Sequence, residues 1–240
     1  MIAFSMDIDW APEEIIDQAL KIFNDFGIKC TLFNTHNSLV TKSAGDYFEN
    51  AIHPNFNKIL NGEEKANFKT IFDRLMNLYP ESKGFKSHSH TQNSSILKHA
   101  SDIGLIYETN TLLPYNTDIK PFKDWNNLIR IPYNWIDDVH WLMGKSFDNC
   151  GMNISKNGNF IFTFHPIHIY LNTNSKEHHE RARKCNYNPK FLKKFICKNI
   201  PGTRDLLISL LKTINERKFK TMHYSEIIPT DEGFKFDKNI

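Results

Sequence analysis

Two aspartates and several histidines stand where the sequence predicts that short buried strands end. Asp7 and Asp9 follow the apolar run Ile2-Ala3-Phe4-Ser5-Met6. The histidines that follow later predicted strands are His53, His88, His90, His165 and His168. In parallel α/β barrels the carboxyl ends of the strands form the face on which active sites are built. Carboxylates and imidazoles gathered there would suit a divalent metal of the zinc or late first-row type, with one position left open for water.

The segments that must position these residues alternate between strand and helix. The apolar run before Asp7 is predicted as a buried strand, and Pro12 opens a helix whose apolar residues recur at helical spacing up to Phe26. Gly27 lies where a helix C-cap belongs, and residues 28–34 read as a second strand. A strand-helix-strand unit of this kind implies a parallel pair with a right-handed crossover.

The remainder of the chain repeats this alternation less regularly. The predicted segments are a strand ending near Ile52-His53, a helix over 67–78, and strands at 84–87, 103–107, 129–132, 160–164 and 220–223. The pattern favours a parallel α/β barrel over an open sheet, formed by a single domain over residues 1–240. Residues 172–190 are polar and are interpreted as an insertion or loop.

The composition is that of an ordinary globular protein. The 240 residues include 30 basic and 27 acidic ones, without long blocks of one sign, so nothing calls for nucleic acid or an anionic membrane. The sequence contains neither a secretory signal pattern nor a stretch long and apolar enough to cross a bilayer, and we therefore expect a cytoplasmic protein. Its four cysteines form no C-x-x-C pair, which argues against a zinc knuckle or a disulfide framework.

Five segments together resemble the polysaccharide deacetylases, a carbohydrate esterase family. They are Asp7-Ile8-Asp9-Trp10-Ala11-Pro12, His53-Pro54-Asn55-Phe56, Ser87-His88-Ser89, Ile131-Pro132-Tyr133 and Phe164-His165-Pro166-Ile167-His168. They are most similar to the subgroup associated with O-antigen biosynthesis loci. The resemblance implies a distorted (β/α) barrel that uses a divalent metal, with zinc expected first and cobalt or nickel as alternatives. It further implies removal of an acetyl or formyl group from an amino sugar or glycan precursor.

The family motifs imply a role for each matching residue. The opening motif has a D-x-D form in some branches of the family, which makes Asp7 the catalytic base and Asp9 a metal ligand. His165 matches the late motif that supplies the catalytic acid. Trp10, next to a metal ligand, and His168 are expected to contact the substrate.

The chain departs from the family pattern at the remaining metal ligands, because the H-[ST]-x-x-H motif is absent. In one register His53 stands in its place, and the third ligand comes from the next strand end, with His88 preferred to His90. In the other register the motif starts at His88 and puts Gln92 in the second histidine's position. We prefer the first register, which predicts Asp9, His53 and His88 as the ligands.

The arginine that orients the base in this family also lacks a direct counterpart. Either Lys86 or Arg130 could replace it, and Arg130 is taken here with Asp7 and His165 as the catalytic set. Asp137 or Asp138 is expected to hold an imidazole in the correct tautomer. Three further histidines are interpreted as surface or loop residues: His140, His178 and His179.

Two other functions are compatible with the same residues. One is a degenerate family member that binds a sugar without turnover, and the missing motif favours it, whereas Asp7, Asp9 and His165 oppose it. The other is a metal amidohydrolase acting on a small non-sugar amide. Each residue alone also has an ordinary explanation, such as an acid that caps a helix or a histidine in the core.

Overall fold

The computed structural model describes residues 1–155, 157–185 and 188–228. Its strands are β1 (Ile2–Asp7), β2 (Cys30–Asn34), β3 (Phe48–Ile52), β4 (Gly84–Phe85), β5 (Tyr107–Glu108), β6 (Phe122–Lys123), β7 (Ile129–Arg130), β8 (Trp135–Ile136) and β9 (Phe160–Phe164). Its helices are α1 (Glu13–Phe26), α2 (Leu39–Lys42), α3 (Asn57–Leu60), α4 (Phe68–Leu78), α5 (Ser94–Asp102), α6 (Asp137–Leu142), α7 (Pro166–Leu171), α8 (Lys176–Arg183), α9 (Pro189–Leu192) and α10 (Thr203–Glu216). Short 3-10 turns lie at His88–His90, Lys193–Phe195 and Tyr224–Glu226.

All nine strands of the described residues belong to one sheet, in the order β6-β7-β5-β4-β3-β2-β1-β9-β8. Each neighbouring pair is parallel except β6 with β7. The sheet curls into a half-barrel surrounded by helices, so the predicted distorted (β/α) barrel is confirmed. None of the helices in the described ranges has the length and apolar character needed to cross a bilayer.

The N-terminal strand lies near the middle of the sheet, between β2 and β9. Every residue of β1 is buried, and alternate side chains face two different cores. Phe4 and Met6 belong to the cluster that packs against α1, α7 and α10, whereas Ala3 packs with Phe33 and the buried tyrosines inside the curl. Asp7 has the parity of Ala3, and this alternation directs its carboxylate into the half-barrel.

The first crossover unit forms as its sequence pattern predicts. Helix α1 buries Ile15, Ile16, Ala19, Leu20 and Phe23. Gly27 is the C-cap that follows the helix, and it has a φ of 62°. This left-handed conformation is open to glycine at no steric cost, and the cap N–H bonds the carbonyls of the last turn.

Several predicted segments differ from the structure. Ile103 is the C-cap of α5, and the strand predicted at 103–107 is reduced to β5, Tyr107–Glu108. The strand predicted at 220–223 is only an isolated bridge between Ala3 and Met222. Each of the strands β4 to β8 is two residues long, which is too short for an alternating pattern to define its ends.

The polar segment 172–190 is not simply a loop, since it contains α8 and the start of α9. Only His178 and Ala182 of α8 are buried, and so few apolar positions give no amphipathic signal. Asn186 and Tyr187 of this segment, like residues 229–240, lie outside the described residues. That residues 1–240 form one domain stays a prediction.

Candidate active site

The first site residues stand just after β1, where the backbone makes a sharp change of direction. Asp7 is the last residue of the strand, and Asp9 has a φ of 44°, in the left-handed region that non-glycine residues seldom adopt. Two side chains that follow β2 hold this conformation, because Thr35 Oγ1 donates to the Asp9 carbonyl and His36 Nδ1 lies 2.8 Å from the same oxygen. The strained backbone turns the Asp9 carboxylate toward the carboxyl ends of β3 and β4.

Asp9 forms a compact cluster with two histidines. His53 Nε2 lies 3.3 Å and His88 Nδ1 lies 3.1 Å from the same oxygen, Asp9 Oδ1. Burial raises the pKa of Asp9, but hydrogen bonds from both histidines outweigh it and hold that pKa well below its ordinary value. One carboxylate oxygen and two imidazole nitrogens lie within 4.8 Å of one another, and this donor set fits a divalent ion of the zinc type.

The two alternatives to His88 point elsewhere. His90 Nε2 shares a hydrogen bond with the Tyr133 hydroxyl. Gln92 Oε1 accepts a hydrogen bond from Arg130 Nη2 at 3.2 Å. His88 and His90 are not alternate residues of a strand, because β4 ends at Phe85 and both histidines lie in a 3-10 turn. Of the three candidates, the structure brings His88 to Asp9.

A buried lysine holds the other aspartate. Lys86 Nζ lies 2.8 Å from Asp7 Oδ2 and donates to Thr163 Oγ1 at 3.2 Å, and it sits 4.1 Å from the centre of the Tyr133 ring. Burial raises the pKa of Asp7, but the charges of Lys86 and His53 outweigh this effect, so the pKa is lowered. Asp7 Oδ1 is buried without a hydrogen-bond partner among the described residues. This oxygen is therefore free to accept a proton.

The prediction that Arg130 orients Asp7 is wrong. The Arg130 guanidinium forms ion pairs with Glu108 and, at 3.1 Å, with Asp124. Glu108 lies fully buried on β5, and Arg130 lies on the neighbouring strand β7. The guanidinium of Arg130 therefore compensates the buried carboxylate of Glu108 rather than that of Asp7. Lys86, the alternative from the sequence, occupies the position beside the proposed base.

His165 follows β9, beside β1 in the sheet. Its Nδ1 lies 2.6 Å from Asp137 Oδ1, and its backbone N–H donates to Asp137 Oδ2 at 2.8 Å. Its Nε2 faces the aspartates, 3.9 Å from Asp7 Oδ2 and 3.7 Å from Asp9 Oδ2. Burial lowers the pKa of His165, but the charge of Asp137 outweighs it and raises that pKa well above its ordinary value. The Asp137 carboxylate therefore favours the protonated form of this ring.

A cleft of about 360 Å³ opens onto these groups. Trp10 lines it and is 53% exposed, so its ring is accessible to a ligand.

His168 also lines the cleft but is buried, with Nδ1 3.2 Å from Thr173 Oγ1. His168 forms a second group with metal-binding geometry together with Asp137 and His165. Because Asp137 already binds His165 Nδ1, the cluster around Asp9 is the better candidate for a metal.

The sequence interpretation missed one wall of the cleft. Helix α8 contributes four residues to it, Lys176, His179, Glu180 and Arg183. Counted from Lys176, the other three lie three, four and seven residues further along, which places all four on one face of a helix. No apolar stripe accompanies this spacing.

The interpretation of three histidines as surface or loop residues is also corrected by the structure. His178 is buried, and His179 lines the cleft. His140 is buried, with Nδ1 2.9 Å from the Tyr115 hydroxyl.

Comparisons with known proteins agree with this fold. A family described as WbmS-like polysaccharide deacetylase matches residues 4–183. The crystal structure of a Bordetella bronchiseptica protein, assigned as a polysaccharide deacetylase involved in O-antigen biosynthesis, is 32% identical with a TM-score of 0.82, and the match covers 88% of this chain and 90% of that one. No curated protein matches the sequence.

Two more distant structures share the fold alone. One is a family 4 carbohydrate esterase from Streptomyces lividans in complex with acetate, which is 12% identical with a TM-score of 0.51, covering 92% of this chain and 91% of that one. The other is a peptidoglycan N-acetylglucosamine deacetylase, 13% identical with a TM-score of 0.51, covering 96% of this chain and 88% of that one.

Proposed function

Because the chain belongs to the WbmS-like polysaccharide deacetylases, we propose that it is a metal-dependent hydrolase that removes an acetyl or formyl group from the nitrogen of an amino sugar. One observation carries this proposal: three different functional groups each contribute at least one residue to the lining of one cleft. They are the cluster of Asp9 with two histidines, the Asp7–Lys86 pair and the His165–Asp137 pair.

The metal would be held by Asp9, His53 and His88. Their oxygen and nitrogen donors suit zinc, and cobalt and nickel accept the same donors. When bound, such an ion lowers the pKa of a water molecule and polarises the acyl carbonyl. The native metal stays a prediction.

Asp7 acts as the general base. Its Oδ2 is engaged by Lys86, and its Oδ1 is left to take the proton of the attacking water. Lys86 keeps the carboxylate ionised and fixes its orientation, since it is itself held by Thr163 and by the face of Tyr133. Because Asp7 lines the cleft, a water molecule bound there is the proposed source of the proton.

His165 acts as the general acid that protonates the leaving amine. Asp137 binds both its ring nitrogen and its backbone N–H, which fixes the rotamer and leaves Nε2 to donate the proton. The same carboxylate stabilises the imidazolium until the amine leaves. In this proposal Asp7 is an ionised carboxylate and His165 a protonated imidazole, 3.9 Å apart, and their different partners set the roles of base and acid.

The substrate is proposed to be a surface-polysaccharide or related glycan precursor. The relative from Bordetella bronchiseptica is assigned to O-antigen biosynthesis. Trp10 offers an exposed indole beside Asp9, suited to stack on a sugar ring, and His168 lies at the inner wall. A cytoplasmic location, predicted from the sequence, would suit a precursor rather than assembled polymer.

The test combines metal analysis with turnover of N-acetylated amino sugars. Purified protein should bind close to one zinc or cobalt ion per chain. Asp9→Ala should lose the ion, whereas Asp7→Asn should keep it and lose turnover by about 1,000-fold. Asp17→Asn, an exposed acid of α1 paired with Lys21, is the matched control and should change neither property.

Different failures have different meanings. A chain with no affinity for zinc or cobalt would refute metal-dependent hydrolysis. A chain that binds metal and sugar but releases no acetate or formate would be the degenerate sugar-binding member. Release from small amides but from no amino sugar would identify the amidohydrolase alternative.

A further inference from the structure

Helix α8 presents a charged face to the cleft. This face consists of four residues: Lys176, His179, Glu180 and Arg183. The opposite face anchors the helix, because Ala182 is buried and the buried His178 contacts the Phe195 carbonyl through Nε2 at 2.5 Å. The buried contacts of His178 and Ala182 lie on one face of the helix, and they hold α8 with its charged face toward the cleft.

This face lies close to the proposed catalytic groups. The ring centroids of His165 and His168 are 5.2 Å apart, and those of His168 and His179 are 4.7 Å apart. The Trp141 ring packs against both His168 and His179, at 4.6 and 5.9 Å. Three imidazoles and an indole therefore connect the proposed acid to α8, and a bound molecule in the cleft could touch both.

The charges of the cleft are unevenly distributed. Its inner end contains Asp7 and Asp9. On α8, Lys176 pairs with Glu180 at 3.7 Å, and both are more than half exposed, so their charges largely cancel. Arg183 is exposed, and no ion pair of the described residues includes it. The guanidinium of Arg183 is the cationic group left at the outer wall.

A further acid of the cleft has a partner on its own helix. Asp138 lines the cleft from the first turn of α6, and its Oδ1 accepts the Val139 backbone N–H at 2.7 Å. An aspartate in the first turn of a helix is stabilised by the helix dipole and needs no cation. Among the described residues, no ion pair joins Asp138 to Arg183.

We propose that Arg183 binds an anionic group of the substrate, either a phosphate or a carboxylate carried by the amino sugar. This inference rests on the proposed function and specifies its substrate class. A guanidinium presents parallel N–H donors that match two oxygens of such a group. With the acyl group at the acidic inner end and the anion at Arg183, a substrate can lie in the cleft in only one direction.

The test measures binding to the full, zinc-loaded chain by calorimetry. The probes are N-acetylglucosamine, its 1-phosphate and the corresponding uronic acid, so the two anionic probes distinguish phosphate from carboxylate. At least one of them should bind about tenfold more tightly than the neutral sugar, and the difference should shrink as salt is added. Equal affinities, or no binding of any probe, would overturn the proposal.

Variants on the same helix locate the effect. Arg183→Gln should abolish the tenfold preference for the anionic probe. Arg181→Gln is the matched control, since Arg181 is exposed on α8 but does not line the cleft, and it should keep the preference. Equal loss in both variants, or in neither, would contradict a specific site at Arg183.

Separate readouts keep this inference distinct from the proposed function. Metal content and acetate release are measured on the same samples. Turnover with an unaltered preference in Arg183→Gln would refute the anion site and leave the hydrolase intact. A preference that depends on Arg183, with turnover of no probe, would support the anion site and contradict the hydrolase.

Discussion

The buried pair of Lys86 and Asp7 gives the sharpest prediction about this site. The two side chains are 1% and 4% exposed, with 2.8 Å between Nζ and Oδ2. In Lys86→Met the carboxylate would lose its cation while remaining out of water, which costs about 3 to 5 kcal/mol of unfolding free energy. Asp7→Asn should cost a similar amount, because it leaves the ammonium unpaired.

A double-mutant cycle measured by urea unfolding tests this reasoning. The double variant of Lys86 and Asp7 removes both charges, so it should cost less than the sum of the single variants by about 2 to 3 kcal/mol. The exposed pair of Lys98 and Asp102 is the control, with an expected coupling below about 0.5 kcal/mol. Additive effects at Lys86 and Asp7 would refute a direct ion pair and, with it, the orienting role of Lys86.

Three other variants test the rest of the site and the fold. His88→Ala should weaken zinc affinity by about 100-fold or more, whereas His90→Phe should leave it within about threefold, as measured by competition with a chelator; equal effects would contradict the ligand assignment. Asp137→Asn should lower kcat by about 100-fold at unchanged metal content, and an unchanged kcat would contradict its role. Gly84→Ala should destabilise the chain by about 1 to 3 kcal/mol in urea unfolding, because a Cβ there would lie 2.2 Å from a buried tyrosine ring; a cost below about 0.5 kcal/mol would contradict this packing.

The N-terminal unit shows how far local patterns reach. The apolar strand before Asp7, the helical spacing of α1 and the glycine at its end each report local physics, and all three are present as predicted. The predictions failed where strands are only two residues long, as at β5, or where a helix buries only two residues, as at α8. Such elements are stabilised by their neighbours in the fold rather than by their own sequence.

The choice among the histidines depended on the backbone of one turn. As alternate residues of a strand, His88 and His90 would face the same way. In the structure Ser89 has a φ of 55°, and the turn directs His88 to Asp9 and His90 to Tyr133. His90 also has a φ of 55°, and left-handed residues other than glycine carry no reliable sequence signal, so this separation could not be predicted.

Which cation reaches Asp7 was likewise decided by long-range packing. Lys86 follows β4 and Arg130 lies on β7, and both stand at strand ends that face the same edge. A buried acid on the neighbouring strand, Glu108, binds Arg130. Lys86 is then left as the cation beside Asp7.

The sequence by itself determined the family, the barrel class and the identity of Asp7, Asp9 and His165 as site candidates, because strand ends and family motifs are local features. Only the tertiary structure decided which histidine meets Asp9, which cation meets Asp7 and that α8 forms a wall of the cleft. Those relations join residues far apart in the chain, such as Asp9 and His88. They depend on how the sheet curls and on which charges are paired when it closes, and no spacing within the sequence encodes that geometry.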